Sequence, residues 1–270
     1  MNATGAYPPL RLARKYLHYY LSAANGKGHG IHSPFVFDFI IHVLNDRTDF
    51  ADYSRIEALR RQLKQDGTLL EIQDLGAGSS IRAARHRTVA DLAGHAAKSK
   101  KWGQLLFRVA RYYRPGTILE LGTSLGLSAA YLAAGNPVAK VWSIEGAPAV
   151  AAVASRNMRS LGLDNLTLVT GDFDRMLPSV LEKAGRIDLA FIDGNHRRKP
   201  TLDYFHTLMG QAVAPSILIF DDIHWSGEME SAWESIRQDP RVYMTIDLFF
   251  IGLVVLRDEF KVKQAFTVRF

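Results

Sequence analysis

The sequence contains no cysteine among its 270 residues. This absence excludes disulfide bonds, zinc sites with cysteine ligands, thiolate nucleophiles and iron–sulfur clusters. Long hydrophobic runs are also missing: the longest, 248–256, has nine residues and includes a glycine, whereas a membrane-spanning helix takes about 20. The first ten residues lack the basic segment and apolar core of a secretory signal. We therefore expect a cytoplasmic, soluble protein with no membrane partner.

The charge is divided unevenly along the chain. Residues 1–116 contain 18 Lys and Arg against 9 Asp and Glu, whereas residues 117–270 contain 15 against 18. A basic half can mark a surface that binds anions. Here the cationic residues are dispersed among Leu, Phe, Tyr and Ala at helical spacing, without a block of five or more. This dispersal favours solvated helix faces, and binding of nucleic acid or protein through the basic region is the alternative function.

Hydrophobic periodicity divides the chain into two parts. Residues 1–98 show mainly helical spacing and predict an N-terminal cap region. From residue 117, apolar runs alternate with helical segments, which is typical of a parallel sheet covered on both faces. The predicted parallel strands are 117–121, 140–144, 166–169, 187–192 and 216–220.

Two further runs, 242–247 and 249–256, lie too close together for a helical crossover and should pair antiparallel. The prediction is an α/β fold with a doubly wound, Rossmann-like, seven-stranded and mostly parallel sheet. It ends in an antiparallel hairpin and occupies a domain at residues 99–270.

A glycine turn follows the first strand of this domain. The segment ELGTSLGLS, residues 120–128, places Gly122 and Gly126 four positions apart, so the dinucleotide fingerprint GxGxxG is absent and a nicotinamide enzyme is disfavoured. The second strand ends at Glu145, 19 residues beyond Gly126. An acid at this position can accept hydrogen bonds from ribose hydroxyls. Together the turn, the acid and the strand order predict a nucleoside-binding site.

Several segments carry a resemblance to a known family. ELGTSLGLS resembles the first motif of S-adenosylmethionine-dependent O-methyltransferases of the catechol and caffeoyl-CoA type, which are class I methyltransferases. The helix around KWGQLL, residues 101–106, is similar to the family's GQxL helix. The resemblance continues through Ile144-Glu145, Gly171-Asp172, residues 191–193 and the segment DDIHWSG at 221–227, and covers about residues 100–256.

The resemblance implies that S-adenosylmethionine is the cofactor and that a small-molecule hydroxyl is the acceptor. Glu120, Gly122 and Ser128 would hold the methionine end, Glu145 the ribose, and Asp172 with Phe173 the adenine. The full set of implied cofactor-binding residues is Glu120, Gly122, Thr123, Ser124, Gly126, Ser128, Glu145, Gly146, Asp172, Phe173 and Asp193. A homodimer is expected by the same analogy.

Catalysis could follow one of two routes. Asp193, Asp221 and Asp222 match the metal-ligand positions of cation-dependent members, and carboxylates suit Mg²⁺ or another divalent cation. Asp222 stands where the family usually has asparagine, and His196 stands where it has a catalytic lysine. His196 could act as a general base beside Asp193 without a metal. Both routes remain open at this point.

The sequence also offers a second segment similar to the first motif and an alternative class of acceptor, a nitrogen atom. The segment DLGAGS, residues 74–79, also resembles the first motif, but Arg82, Arg85, His86 and Arg87 follow it instead of an apolar helix. We interpret it as a turn in the N-terminal region. An N-methyltransferase is disfavoured because DGNH, residues 193–196, stands where the NPPY-type segment would lie.

Overall fold

The computed structural model describes residues 5–28, 30–73 and 84–270. The turn interpreted at residues 74–79 therefore lies outside the described residues. In chain order the helices and strands are α1 Pro9–Ser22, α2 Pro34–Phe39, a π-helical segment Ile40–Leu44, α3 Ala51–Leu63, β1 Leu69–Gln73, β2 Ala84–Thr88, α4 Val89–Asp91, a second π-helical segment Leu92–Ala96, α5 Lys100–Tyr113, β3 Thr117–Leu121, α6 Leu127–Gly135, β4 Lys140–Glu145, α7 Pro148–Ser160, β5 Leu166–Thr170, α8 Phe173–Ala184, β6 Leu189–Ile192, α9 Arg198–Met209, β7 Ser216–Asp221, α10 Gly227–Gln238, β8 Met244–Asp247, β9 Ile251–Leu256 and β10 Gln264–Thr267.

These elements form two compact units. The central unit comprises Arg47–Gly185, and the terminal unit combines Met1–Asp46 with Arg186–Phe270. Neither unit coincides with the predicted cap region or with the predicted 99–270 domain, and that division stays a prediction. The chain therefore returns to the terminal unit after completing the central one.

The central unit contains three parallel strands in the order β3-β4-β5. Every residue of strand β3 after Thr117 is buried, and all of them are apolar except Glu120. Helices α5 and α6 pack closely, and Gly103 permits this because an added Cβ would lie 2.3 Å from the ring of Tyr131. The strands β1 and β2 form a separate antiparallel hairpin. Helices on the sheet therefore bury the strand that leads into the glycine turn.

The terminal unit contains five strands in the order β10-β8-β9-β7-β6. Strand β9 is antiparallel to both β7 and β8, which confirms the hairpin predicted for residues 242–256. Strand β10, at Gln264–Thr267, is parallel to β8 and adds an eighth strand to the seven expected. The doubly wound α/β fold with a helical N-terminal region is confirmed. Among the described residues, no helix has the length and apolar character needed to cross a membrane.

Candidate active site

The glycine turn after β3 is held by backbone hydrogen bonds to the neighbouring strand. The amides of Gly122 and Thr123 both donate to the carbonyl of Ile144, at 3.0 and 3.2 Å. Gly122 and Gly126 have φ values of 102° and 85°, which side chains with a Cβ rarely adopt. Gly126 directly precedes α6, and the first amides of a helix have no acceptor within the helix. Such a turn lets a ligand approach the backbone closely.

Glu120 lies beneath this turn and is fully buried. One of its carboxylate oxygens, Oε2, accepts the hydroxyl of Ser143. The other, Oε1, has no hydrogen-bond partner among the described residues. Burial raises the pKa of Glu120 to about 7; the hydroxyls of Ser128 and Ser143 oppose this shift, and nearby Glu145 adds to it. An enclosed carboxylate with one open acceptor is suited to a cationic ligand.

Glu145 joins the two loops that follow β3 and β4. Its Oε2 accepts the amide of Ser124 at 2.8 Å, and its Oε1 accepts the amide of Ala147 at 2.9 Å. Burial raises its pKa, and these backbone hydrogen bonds oppose that rise. Each oxygen retains a further acceptor direction. Glu145 therefore fixes the glycine turn and can still accept hydroxyl groups from a ligand.

A cavity of about 670 Å³ opens beside Glu145 and Ser124 in the central unit. The hairpin contributes Ile72, His86 and Arg87 to its lining, Leu92 and Val150 come from helical segments, and Ala147 lies in the loop after β4. The basic residues of this hairpin are not among the cofactor-binding residues predicted from the sequence. A cavity of this size lies within the range for small ligands.

The remaining cofactor candidates of the central unit surround the same strand ends. Ser128 is buried in the first turn of α6, and Gly146 lies between Glu145 and the Ala147 amide. Asp172 caps α8 by accepting the Asp174 amide at 3.0 Å, and Phe173 begins that helix. The amide of Gly171 donates to the carbonyl of Glu145 at 2.9 Å, which holds this cap next to β4. The cap explains the position of Asp172, while its adenine role stays a prediction.

A second group of candidates lies in the terminal unit, at the ends of β6 and β7. Asp193, His196 and Asp221 each place a potential ligand atom within 4.8 Å of the others. The imidazole Nε2 of His196 lies 3.5 Å from Asp193 Oδ1. Asp222, the third predicted metal ligand, is not in this group and has a φ of 54°. The structure therefore brings His196, rather than Asp222, to the two aspartates.

Two neighbours fix the loop that carries His196. The side-chain oxygen of Asn195 accepts from the guanidinium of Arg197 at 2.8 Å, and its amide donates to the Tyr204 hydroxyl at 3.2 Å. The indole of Trp225 lies with its centroid 6.0 Å from that of the His196 ring, inclined at 60°. Trp225 is partly exposed, so an aromatic surface adjoins the imidazole.

Sequence reasoning missed a polar network in the same unit. Glu230 accepts from the Tyr7 hydroxyl and the Lys15 ammonium, both at 2.8 Å, and lies 3.0 Å from Nδ1 of His224. The other ring nitrogen of His224 lies 2.8 Å from Asp247 Oδ2. Burial disfavours a charged His224, but its bonds to Asp247 and Glu230 raise its pKa to about 9. The histidine in DDIHWSG was the available sequence signal, but Tyr7 and Lys15, the other partners of Glu230, lie more than 200 residues from it and could not be identified.

Comparison with known proteins identifies related sequences. Residues 119–223 match the family of methyltransferase domains designated Methyltransf_24. A catechol O-methyltransferase of Niastella koreensis is 29% identical over 148 residues, covering 53% of this chain and 66% of that protein. A probable O-methyltransferase of Mycobacterium tuberculosis is 30% identical over 154 residues, covering 54% and 65%. The chain thus spans slightly less than two thirds of these relatives.

Solved structures share the fold at lower identity. The O-methyltransferase of Bacillus cereus in complex with SAH has a TM-score of 0.56 and 19% identity, covering 77% of this chain and 92% of that one. The SAH-bound methyltransferase of Podospora anserina has a TM-score of 0.59 and 15% identity, covering 96% and 100%. At this level of identity, the two structures establish likeness of fold alone.

Proposed function

We propose that this chain is a class I methyltransferase of the catechol and caffeoyl-CoA type and that it methylates a hydroxyl oxygen of a small molecule; its match to a methyltransferase domain model and its O-methyltransferase relatives support this. The observation that carries the proposal is the enclosed Glu120 with its open Oε1 beneath the glycine turn. The expected homodimer and cytoplasmic location stay predictions.

The residues of the central unit fit S-adenosylmethionine. Glu120 Oε1 would accept the ammonium of the methionine part, because an enclosed acid gains most from a cationic partner. The N-terminal end of α6, which directly follows the glycine turn, would face the methionine carboxylate, and Glu145 would accept the ribose hydroxyls. When bound, S-adenosylmethionine supplies a sulfonium methyl group, whose S–C bond breaks as a bond from the acceptor oxygen to carbon forms.

In the terminal unit, the group of Asp193, His196 and Asp221 would act on the acceptor. The Nε2 of His196 pairs with Asp193, which leaves Nδ1 to accept the hydroxyl proton. Asp193 would then stabilise the imidazolium, as an acid partner does for a catalytic histidine. In this reading His196 is a base, and Asp193 positions it.

The same three side chains could instead hold a divalent cation. Two carboxylates and one imidazole form a donor set that suits manganese, iron or zinc better than Mg²⁺, which prefers oxygen ligands alone. A bound cation would supply Lewis-acid stabilisation of the ionised hydroxyl. A mechanism that needs the cation is lost when a chelator removes it, whereas a histidine base works without one, so the two readings predict different responses to chelation.

The test is transfer of a labelled methyl group from S-adenosylmethionine to a panel of catechols and other phenols. Glu145→Gln should lower the initial rate about a hundredfold at subsaturating cofactor, whereas Glu182→Gln, an exposed matched control on α8, should not.

If His196 is the base, His196→Gln should lower turnover by about 10²–10⁴ and EDTA should have no effect, with His42→Gln as the control. Loss of turnover in EDTA, restored by Mn²⁺, would instead support the cation. Absence of S-adenosylhomocysteine binding by the folded protein would contradict the whole proposal.

A further inference from the structure

A second cavity lies in the terminal unit, and its lining does not include Asp193, His196 or Asp221. It has a volume of about 600 Å³ and is bounded by α1, by α10 and by the ends of β8 and β10. We refer to it as the α1 cavity. Its lining is rich in cationic side chains, and neither the family match nor the proposed methyl transfer gives it a role.

The two acids that line the α1 cavity already have internal partners. Glu230 accepts from Tyr7 and Lys15 and contacts His224. Asp247 contacts His224 and accepts the indole N–H of Trp233 at 3.3 Å. A carboxylate saturated in this way offers little to a further cation. The acids therefore do not cancel the remaining positive charge of the lining.

That remaining charge comes from Arg11, Arg14 and Arg237. The guanidinium carbon of Arg11 lies 4.0 Å from the centroid of the Tyr7 ring, a stacked arrangement that does not use the hydrogen-bond donors of the guanidinium. Arg237 forms an ion pair with Glu234 at 3.0 Å, but this pair is solvent-exposed and such pairs contribute little. The spacing of Arg11, Arg14 and His18 places them along one face of α1. Three guanidinium groups thus surround one concave space.

Packed aromatic side chains line part of the α1 cavity. Tyr19 is buried, and its hydroxyl donates to the carbonyl of Val268. The ring of Phe249 lies 5.3 Å from that of Tyr19 and stacks on His224 at 5.2 Å. Because these lining residues are already packed, binding would require little reorganisation of them. This favours a single bound ligand over non-specific attraction of anions.

We propose that the α1 cavity binds a small anion that carries two or more negative charges on phosphate or carboxylate groups. Guanidinium groups recognise both kinds of oxyanion through paired hydrogen bonds. The cations converge on one cavity of ligand size, and they do not form the extended groove that a nucleic-acid strand follows. The proposal does not depend on methyl transfer.

The test is calorimetric titration of the full chain with pyrophosphate and with citrate at low ionic strength. Pyrophosphate represents phosphate ligands and citrate represents carboxylates, and binding of one or both at one site supports the proposal. Arg11→Gln/Arg14→Gln should weaken binding at least tenfold. The matched control Arg61→Gln/Lys64→Gln removes the same charge from exposed positions at the C-terminal end of α3 and should change affinity less than twofold.

Folding is checked by thermal unfolding of each variant, and Arg237→Gln provides an independent substitution if the α1 double variant does not fold. That single change should weaken pyrophosphate binding several-fold. No binding of either anion, or equal weakening by the α1 pair and the α3 pair, would overturn the proposal. Tighter binding of a single-stranded RNA, weakened equally by both pairs, would also overturn it and would favour a nucleic-acid surface.

Discussion

Glu120 in the central unit is fully buried and Glu230 in the terminal unit is partly buried, and the two acids differ in their partners. Burial disfavours the ionised form of Glu230, yet hydrogen bonds from His224, Lys15 and Tyr7 lower its pKa to about 2. Among the residues that the structure describes, Glu120 has no cationic partner, and its burial raises the pKa to about 7. A carboxylate whose cations are supplied by the chain stabilises the fold. One that lacks a cation and keeps an open oxygen is placed to receive a ligand.

The largest expected effect comes from Glu120→Gln. Because the amide cannot pair with an ammonium, the affinity for S-adenosylhomocysteine should fall about a hundredfold, as for loss of a buried charge partner. The melting temperature should stay equal or rise, since an unpaired buried acid is removed. Titration calorimetry and thermal unfolding measure the two quantities, with Glu182→Gln as control. Unchanged affinity would contradict the role given to Glu120.

Glu230→Gln should show the opposite pattern. Its loss leaves Lys15 and His224 without their shared anion, and the free energy of unfolding should fall by about 2 kcal/mol, the scale of hydrogen bonds to charged groups. Urea unfolding near pH 7 measures this change. Affinity for S-adenosylhomocysteine should stay within about twofold. A stable variant with weakened ligand binding would reverse the assignment of the two acids.

The pH dependences of the two sites should run in opposite directions. The ligand's ammonium requires ionised Glu120, whose pKa is about 7, so the affinity for S-adenosylhomocysteine should fall by up to about tenfold per pH unit as the pH drops below 7.

The pKa of His224 is about 9 in the folded protein, whereas the ordinary value for histidine is 6.5. Its stabilisation is therefore complete below about pH 6.5 and is lost as pH rises through 9. Glu120→Gln should flatten the affinity profile, and His224→Gln should flatten the alkaline loss of stability.

The smallest effect is expected for Ser143→Ala. This change removes the hydroxyl that donates to Glu120 Oε2, so the pKa of Glu120 should rise further and the midpoint of the affinity profile should move to higher pH. At pH 7 the affinity should fall about threefold. In the background of Glu120→Gln the same change should add little, because both substitutions act through one carboxylate. Additive losses would show that Ser143 acts independently.

Much of the sheet could be predicted from the sequence because each strand carries its own local pattern. The first predicted strand, 117–121, coincides with β3, and the predicted second strand differs from β4 by one residue. The glycine turn and Glu145 were identifiable for the same reason, since both follow directly from a buried strand. Local periodicity determines these features, and distant residues do little to change them.

Features that depend on distant partners could not be predicted. Strand β10 pairs with β8, although its sequence, QAFT, has no marked strand pattern. The hairpin of β1 and β2 includes a basic stretch that resembles a solvated loop. The network of Lys15, Glu230 and His224 joins positions more than 200 residues apart. In each case the deciding interaction is a tertiary contact, for which a single sequence gives no spacing rule.

The bonds of Glu145 to Ser124 and Ala147 have a consequence for the two loops that it joins. Ser124 has a φ of 49°, in the left-handed region where a serine is strained, so the carboxylate holds a conformation that the loop would otherwise leave. Ser124→Gly would relieve that strain, and the change should affect the conformation of the loop after β4, because both loops are bonded to the carboxylate of Glu145. Changes in the two loops are therefore thermodynamically coupled. A double-mutant cycle with one substitution in each loop should give a coupling free energy different from zero.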